Sequence, residues 1–241
     1  MITIPWTRVL FLGLLAAWAP PARAAGDAAE LQALQDNAYA AVSQRMMYVV
    51  LDRDPGRKAA TDMRLKAADV AVAGQADAPL AQKWQSVQAT VVSDPYAKGE
   101  VNPYAIYDME NRVTEFASEI KAKMPPGMSS SRKALYELVG LLQEMMTIYL
   151  RNSADPRGGS GYVGVNQEID LAVQQQKFST KMAALAKSDP RLFRAMNKSA
   201  VKWKFLSGHF ADFNRQSVPY VADLYGRQMI DELLALAAAQ P

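Results

Sequence analysis

Few residue types in this chain could do chemistry, and the first is its single histidine. His209 stands in "KWKFLSGHFADFNRQSVPYVADLYGRQ", residues 202 to 228, four positions after Phe205 and three before Asp212. On a helix that spacing sets it beside an apolar stripe and within reach of Asp212. With no second histidine and no cysteine, a metal would have only carboxylates beside it, and no nucleophile is marked for a triad. The expectation is a structural histidine.

The methionine pairs Met46-Met47 and Met145-Met146 offer soft thioethers, the ligands that copper(I) prefers. Neighbours on a helix point about 100° apart, so one member of each pair should face the core and the other the flank. Adaptable core filling is the better reading. "RGGSGYVG", residues 157 to 164, is glycine-rich but lacks the Gly-Lys-Ser/Thr ending of a phosphate loop and follows a helix. It reads as a connector. Glu115 and Glu119, one turn apart beside Arg112 and Lys123, read as solvated helix-face charge. No catalytic residue, metal site or cofactor is expected.

Tyrosines form a more suggestive set. Tyr104 and Tyr107 follow one "PY" helix start, and Tyr220 and Tyr225 follow another. Directed into a bundle, their hydroxyls could line a small-ligand pocket, although rim positions are commoner for helix-packing tyrosines. With Arg45 they make the candidate ligand-binding set: Arg45, Tyr104, Tyr107, Tyr220 and Tyr225.

The elements that must carry these residues are helical. Leu31, Leu34, Ala38, Val42, Met46 and Val49 recur in steps of three and four, and this first helix should stop before "DRDPG". Ile106, Met109, Val113, Phe116 and Ile120 form another face, and Leu135, Leu138, Leu142, Met145 and Tyr149 a third. Leu192 to Phe213 reads as the longest stripe, in one helix. Helix starts are marked by proline after a capping or small residue in "DAP", "NP", "DP" and "SVP", and by Ser129 to Ser131 after "MPPG". With the weaker stretch from Arg57 to Ala73, eight helices are expected.

Before them, "MITIPWTRVLFLGLLAAWAPPARAA" has the parts of a secretory signal: Arg8, an apolar run from Val9 to Ala19, and Ala22-Arg23-Ala24. Cleavage is expected after Ala24. The run is shorter than the roughly 20 residues that span a bilayer, and no later segment is long and apolar enough, so no transmembrane segment is expected in the mature chain. Without Arg8 and Arg23 the 27 basic residues become 25 against 24 acidic ones, and the formal charge falls from +3 to +1. A nucleic-acid partner is therefore not expected. Without cysteine there is no disulfide, so an exported fold must rest on packing alone. A bacterial periplasm is the expected compartment, with release from the cell the alternative.

The chain also matches itself. "QRMMYVVL", residues 44 to 51, parallels "QEMMTIYL", residues 143 to 150, with Gln, Met, Met and Leu identical. Met63 precedes Trp84 of one "KW" by 21 residues, as Met182 precedes Trp203 of the other, and a "PY" start follows each tryptophan. The expected organisation is all-α: a signal over 1–24, then two tandem four-helix-bundle-like units over 25–127 and 128–241. Chance matching in a Met- and Ala-rich helical chain is the competing account.

"AVSQRMMYVVL" resembles the "QRM" segment opening the periplasmic sensor module of PilJ-type chemoreceptors and their nitrate-sensor relatives, and "FSTKMAALAKSDPRLFRAMNKSAVKWKFL" is similar to that module's later pattern. The resemblance implies a helical bundle outside the membrane. The family's transmembrane helix and cytoplasmic signalling part have no counterpart here. The expected function is non-enzymatic binding of a small-molecule ligand or an envelope protein partner. The alternative is a structural or assembly factor docking on a cell-envelope complex.

Overall fold

A computed structural model describes residues 27–157, 170–211 and 217–240. The segment read as a secretory signal, most of the glycine-rich stretch and Asp212 lie outside them. Among the described residues the protein is all-α, with nine helices and one two-stranded hairpin.

The capping signals act where the sequence has them. Asp27 caps α1 (Ala28–Val50), Asp54 caps α2 (Pro55–Gln75), Asp77 caps α3 (Ala78–Val92) and Asn102 caps α4 (Pro103–Lys123). Ser129 caps α5 (Ser130–Ala154) and Asp170 caps α6 (Leu171–Ser188). In each case a side-chain oxygen accepts from a first-turn amide that has no helical partner. Asp189 does the same for α7 (Pro190–Ala195), whereas α9 (Pro219–Ala238) begins at Val218 without a side-chain cap.

Two expectations need correction. The stripe from Leu192 to Phe213 is not one helix: the chain turns at Met196, and α8 (Asn197–Ala211) follows α7. The apolar spacing survives the turn because Leu192, Met196, Trp203, Leu206 and Phe210 all still reach the core. Between α3 and α4 lies a hairpin that period-two patterning is too short to reveal, with β1 (Tyr96–Ala97) antiparallel to β2 (Glu100–Val101). Its turn puts Lys98 at φ 55° and Gly99 at φ 88°. Positive φ at both central residues is the type I′ requirement, and glycine meets it without a Cβ penalty.

The apolar interior divides into two clusters. One gathers α1 to α4, with Leu150 and Ala154 added from α5. The other gathers α5 to α9, with Ala28 added from α1. The clusters lie side by side, because α1 packs on α5 and α9, and α4 packs on α5. This makes α1 and α5 central helices, buried on nearly every face. All four methionines of the two pairs are consequently fully buried, and neither pair sends a member to the flank.

Candidate functional site

Because α1 and α5 are covered on their polar faces as well as their apolar ones, side chains that would suit solvent are brought inside. A cavity of about 620 Å³ opens there, between α1, α4, α5 and the α4–α5 loop, with Lys181 of α6 at its edge. Gln32, Gln35 and Tyr39 come from α1, Thr114 and Lys121 from α4, and Tyr136, Gly140 and Glu144 from α5. Met124, Pro125, Pro126 and Met128 of the loop, with Leu141, supply an apolar wall.

The polar side of this cavity is electrostatically unusual. Gln32 is only 2% exposed, and its Nε2 finds no hydrogen-bond partner among the described residues. A buried amide left so is costly, on the order of 1–3 kcal/mol, and native interiors contain few. Burial pushes the Tyr39 phenol well above its ordinary range; the neighbouring Glu144 adds to the shift, and a hydrogen bond with Thr114 opposes it. Burial likewise raises the Glu144 carboxyl, against the pull of Lys177 and Lys121. Gln174 Nε2 reaches Glu144 Oε2 only at 3.4 Å.

Behind the cavity the polar groups continue as a chain. Gln35 Nε2 donates to Gln143 Oε1 at 2.8 Å, and Gln143 Nε2 donates to Asp36 Oδ1 at 3.0 Å. Asp36 also accepts from Arg227 of α9 at 3.2 Å and lies 3.8 Å from Arg64 of α2. Two ion pairs flank this chain across the same junction. Arg151 of α5 meets Glu110 of α4 at 2.7 Å, and Arg57 of α2 meets Asp223 of α9 at 2.6 Å. Burial raises the Glu110 carboxyl, and the Arg151 guanidinium pulls it down. Both pairs are largely out of water, so they specify how the clusters meet more than they stabilise the contact.

The five residues singled out from the sequence are distributed around the molecule, and none lines this cavity. Arg45 is buried in α1, donates to the Ser93 carbonyl at 2.7 Å and lies 4.7 Å from the Tyr48 ring centre. Tyr107 is buried under the Arg151 guanidinium, 4.6 Å from its ring centre, while Tyr104 one turn earlier is exposed. Tyr220 is exposed, 5.8 Å from the Arg57 guanidinium. Tyr225 packs edge-on against Phe205 at 5.7 Å, and His209 lies 5.0 Å from the same phenylalanine. Among the described residues no group of three His, Asp or Glu side chains is disposed to hold a metal ion.

Sequence periodicity does not single out the residues that make the cavity, because Gln32, Gln35, Tyr39 and Glu144 fall between the apolar positions of their helices. One signal lies in the sequence: Gln143, like Gln44, stands two residues before a methionine pair, and it is fully buried. No helix among the described residues is long and apolar enough to cross a membrane. No family model, no curated protein and no solved structure matches this chain.

Proposed function

We propose that this is an exported, non-enzymatic binding protein of sensory type that takes a small polar ligand into the cavity between its two helical clusters. The observation that carries this is the cavity itself, large enough for a small molecule and bordered by the unpartnered Gln32 amide. Small-ligand sites are commonly concave, mostly apolar and furnished with a few convergent polar groups between packed helices. Met124, Met128 and Leu141 supply the apolar share, and Gln32, Tyr39 and Glu144 the polar one. The resemblance of the "QRM" and "KW" segments to a periplasmic sensor module is consistent with this role. Periplasmic export rests on the signal-like residues 1–24.

A ligand there would touch both clusters at once, since α1 and α4 belong to one and α5 to the other. Binding would thereby alter the α1–α5 contact, which is a means of reporting occupancy to a partner. Native mass spectrometry of the mature protein purified from its own periplasm should show a retained small molecule. Gly140→Leu gives the control, because a Cβ at Gly140 meets nothing closer than Gln35 Nε2 at 3.7 Å and the longer side chain should enter the cavity that Gly140 lines, with far-UV circular dichroism checking that the variant folds. The bound mass should disappear in that variant. Wild-type protein without a bound molecule, or a mass retained equally by Gly140→Leu, refutes the proposal.

A further inference from the structure

The cations of this protein are unevenly used. Elsewhere Arg57, Arg64, Lys83, Lys123, Arg151 and Arg227 sit within 4 Å of carboxylates. Between Lys187 and Ala211 the chain carries Lys187, Arg191, Arg194, Lys198, Lys202 and Lys204 against the single acid Asp189. Asp189 is occupied as the cap of α7 and accepts from Ser131. The elements packed against α8 supply little compensation: of the α9 acids, Glu232 accepts from the buried Ser199 at 2.6 Å, Asp223 pairs with Arg57 and Asp231 lies beside Arg227 and Arg64, while α6 adds Lys177 and Lys181. Among the described residues none of the six cations of this segment makes an ion pair.

These charges share a face with apolar side chains. On α8, Ser199, Trp203, Leu206 and Phe210 turn inward, leaving Lys198, Val201, Lys204 and Phe205 outward. At 3.6 residues per turn these four span roughly 120° of arc, with Val201 and Phe205 between the two lysines. Val201 is 64% exposed and Phe205 45%. Arg191 and Arg194 extend the exposed charge onto α7.

We propose that the outward face of α7 and α8 docks on an anionic phospholipid surface, with Val201 and Phe205 entering the headgroup layer between flanking cations. Charge complementarity selects the partner, because unpaired lysines and arginines gain most beside a sheet of lipid phosphates. The exposure of Val201 and Phe205 favours a bilayer over an acidic protein, because a deformable interface accepts outward apolar side chains without needing a matching groove. Basic side chains around an apolar centre are also what lets a helix lie in a membrane interface. This inference is independent of the cavity.

The test is co-sedimentation of the mature protein with vesicles of phosphatidylglycerol and phosphatidylcholine, equimolar, and of phosphatidylcholine alone. Binding is expected to the anionic vesicles only and should weaken with salt. Replacing Arg191, Arg194, Lys198 and Lys204 together by Gln should reduce the partition coefficient by up to about a thousandfold. Phe205→Ala should reduce the fraction that survives raised salt. A control set of neutralisations at Lys58, Lys66 and Lys98, exposed on other elements, should have little effect. All these sites are on the surface, and far-UV circular dichroism checks that each variant folds. The proposal is overturned by no binding to anionic vesicles, by an equal loss from the control set, or by binding of polyglutamate through the same four cations with vesicles left free.

Discussion

Trp84 and Trp203 occupy corresponding places in the two halves, and what surrounds them differs. Each is buried on the helix before a "PY" start, and the inward residues of the two helices correspond one for one at the same interval: Leu80 and Ser199, Trp84 and Trp203, Val87 and Leu206, Val91 and Phe210. Each indole N–H donates to the preceding long helix, Trp84 to Asp69 of α2 at 2.6 Å and Trp203 to Ser179 of α6 at 3.1 Å. The acceptors do not correspond. At the tryptophan interval Asp69 would match Ser188, which lies nine residues beyond Ser179, or two and a half turns. The same interval pairs Met63, 64% exposed, with Met182, 6% exposed. The inward face of α3 is thus matched by that of α8, while α2 and α6 dock on these faces in different registers, with α7 inserted only in the second half.

A second contrast concerns the closing helices. Gly226 of α9 leaves room that Met146 of α5 fills, and a Cβ there would overlap the Met146 sulfur. At the same distance from its proline, α4 carries Glu110, which reaches Arg151 instead. Consistent with this, α9 packs closely along α5, whereas α1 packs more on α2 than on any other helix. The glycine lets α9 close on the opening helix of its own half, whereas the glutamate ties α4 to α5, the opening helix of the other half.

The largest expected effects test the shared part. Trp84→Ala and Trp203→Ala should each lower stability by about 3–5 kcal/mol in chemical denaturation, from lost burial and the cavity left behind. A loss under about 1 kcal/mol at either site would break the correspondence. The unshared part comes next. Met182→Ala should cost about 2–5 kcal/mol and Met63→Ala less than about 0.5 kcal/mol, and equal losses would restore a common register to α2 and α6.

Trp84→Phe and Trp203→Phe isolate the indole hydrogen bonds. A bond to the Asp69 carboxylate should be worth roughly 1.5–3 kcal/mol and one to the Ser179 hydroxyl roughly 0.5–1.5 kcal/mol, so the first variant should be the weaker. Equal costs would mean that the different acceptors are energetically interchangeable.

The smallest effect is a pH dependence at the junction of the two halves. Burial holds the Glu144 carboxyl above its ordinary range, so the folded state binds this proton more tightly than the unfolded one. Its ionisation therefore opposes folding. The contribution is most stabilising below the ordinary carboxylate range and declines as pH rises through the raised value. Glu144→Gln should remove that decline, bringing the variant's advantage out near neutrality and erasing it in acid. Asp77, lowered by its hydrogen bond to Lys123 and its capping bond, has the opposite sign and loses its contribution as pH falls. Thermal melts of Glu144→Gln and Asp77→Asn across this range should diverge in opposite directions.

The helices themselves were legible. Apolar steps of three and four marked α1, α4 and α5, and Asp77-Ala78-Pro79, Asn102-Pro103 and Asp189-Pro190 marked starts, because capping and periodicity are local and act through neighbours within one or two turns. The break at Met196 was hidden since the core still receives a residue every third or fourth position on both sides of it. The candidate tyrosines are marked by residue type and by the two "PY" helix starts, and their burial depends on neighbours that neither names: Tyr107 lies under Arg151, and Tyr104, one turn away, meets solvent.

What the sequence determined alone was an all-α chain, the starts of α3, α4, α5, α7 and α9, and which apolar faces turn inward. Only the tertiary structure decided that α1 and α5 would also bury their polar faces, bringing Gln32, Gln35, Tyr39 and Glu144 to a cavity and joining Gln35 to Asp36 through Gln143. The physical reason is that periodicity tells apolar from polar positions on one helix. Whether a polar face meets water or another helix depends on how whole helices stack, through contacts more than a hundred residues apart, as between Gln35 and Gln143.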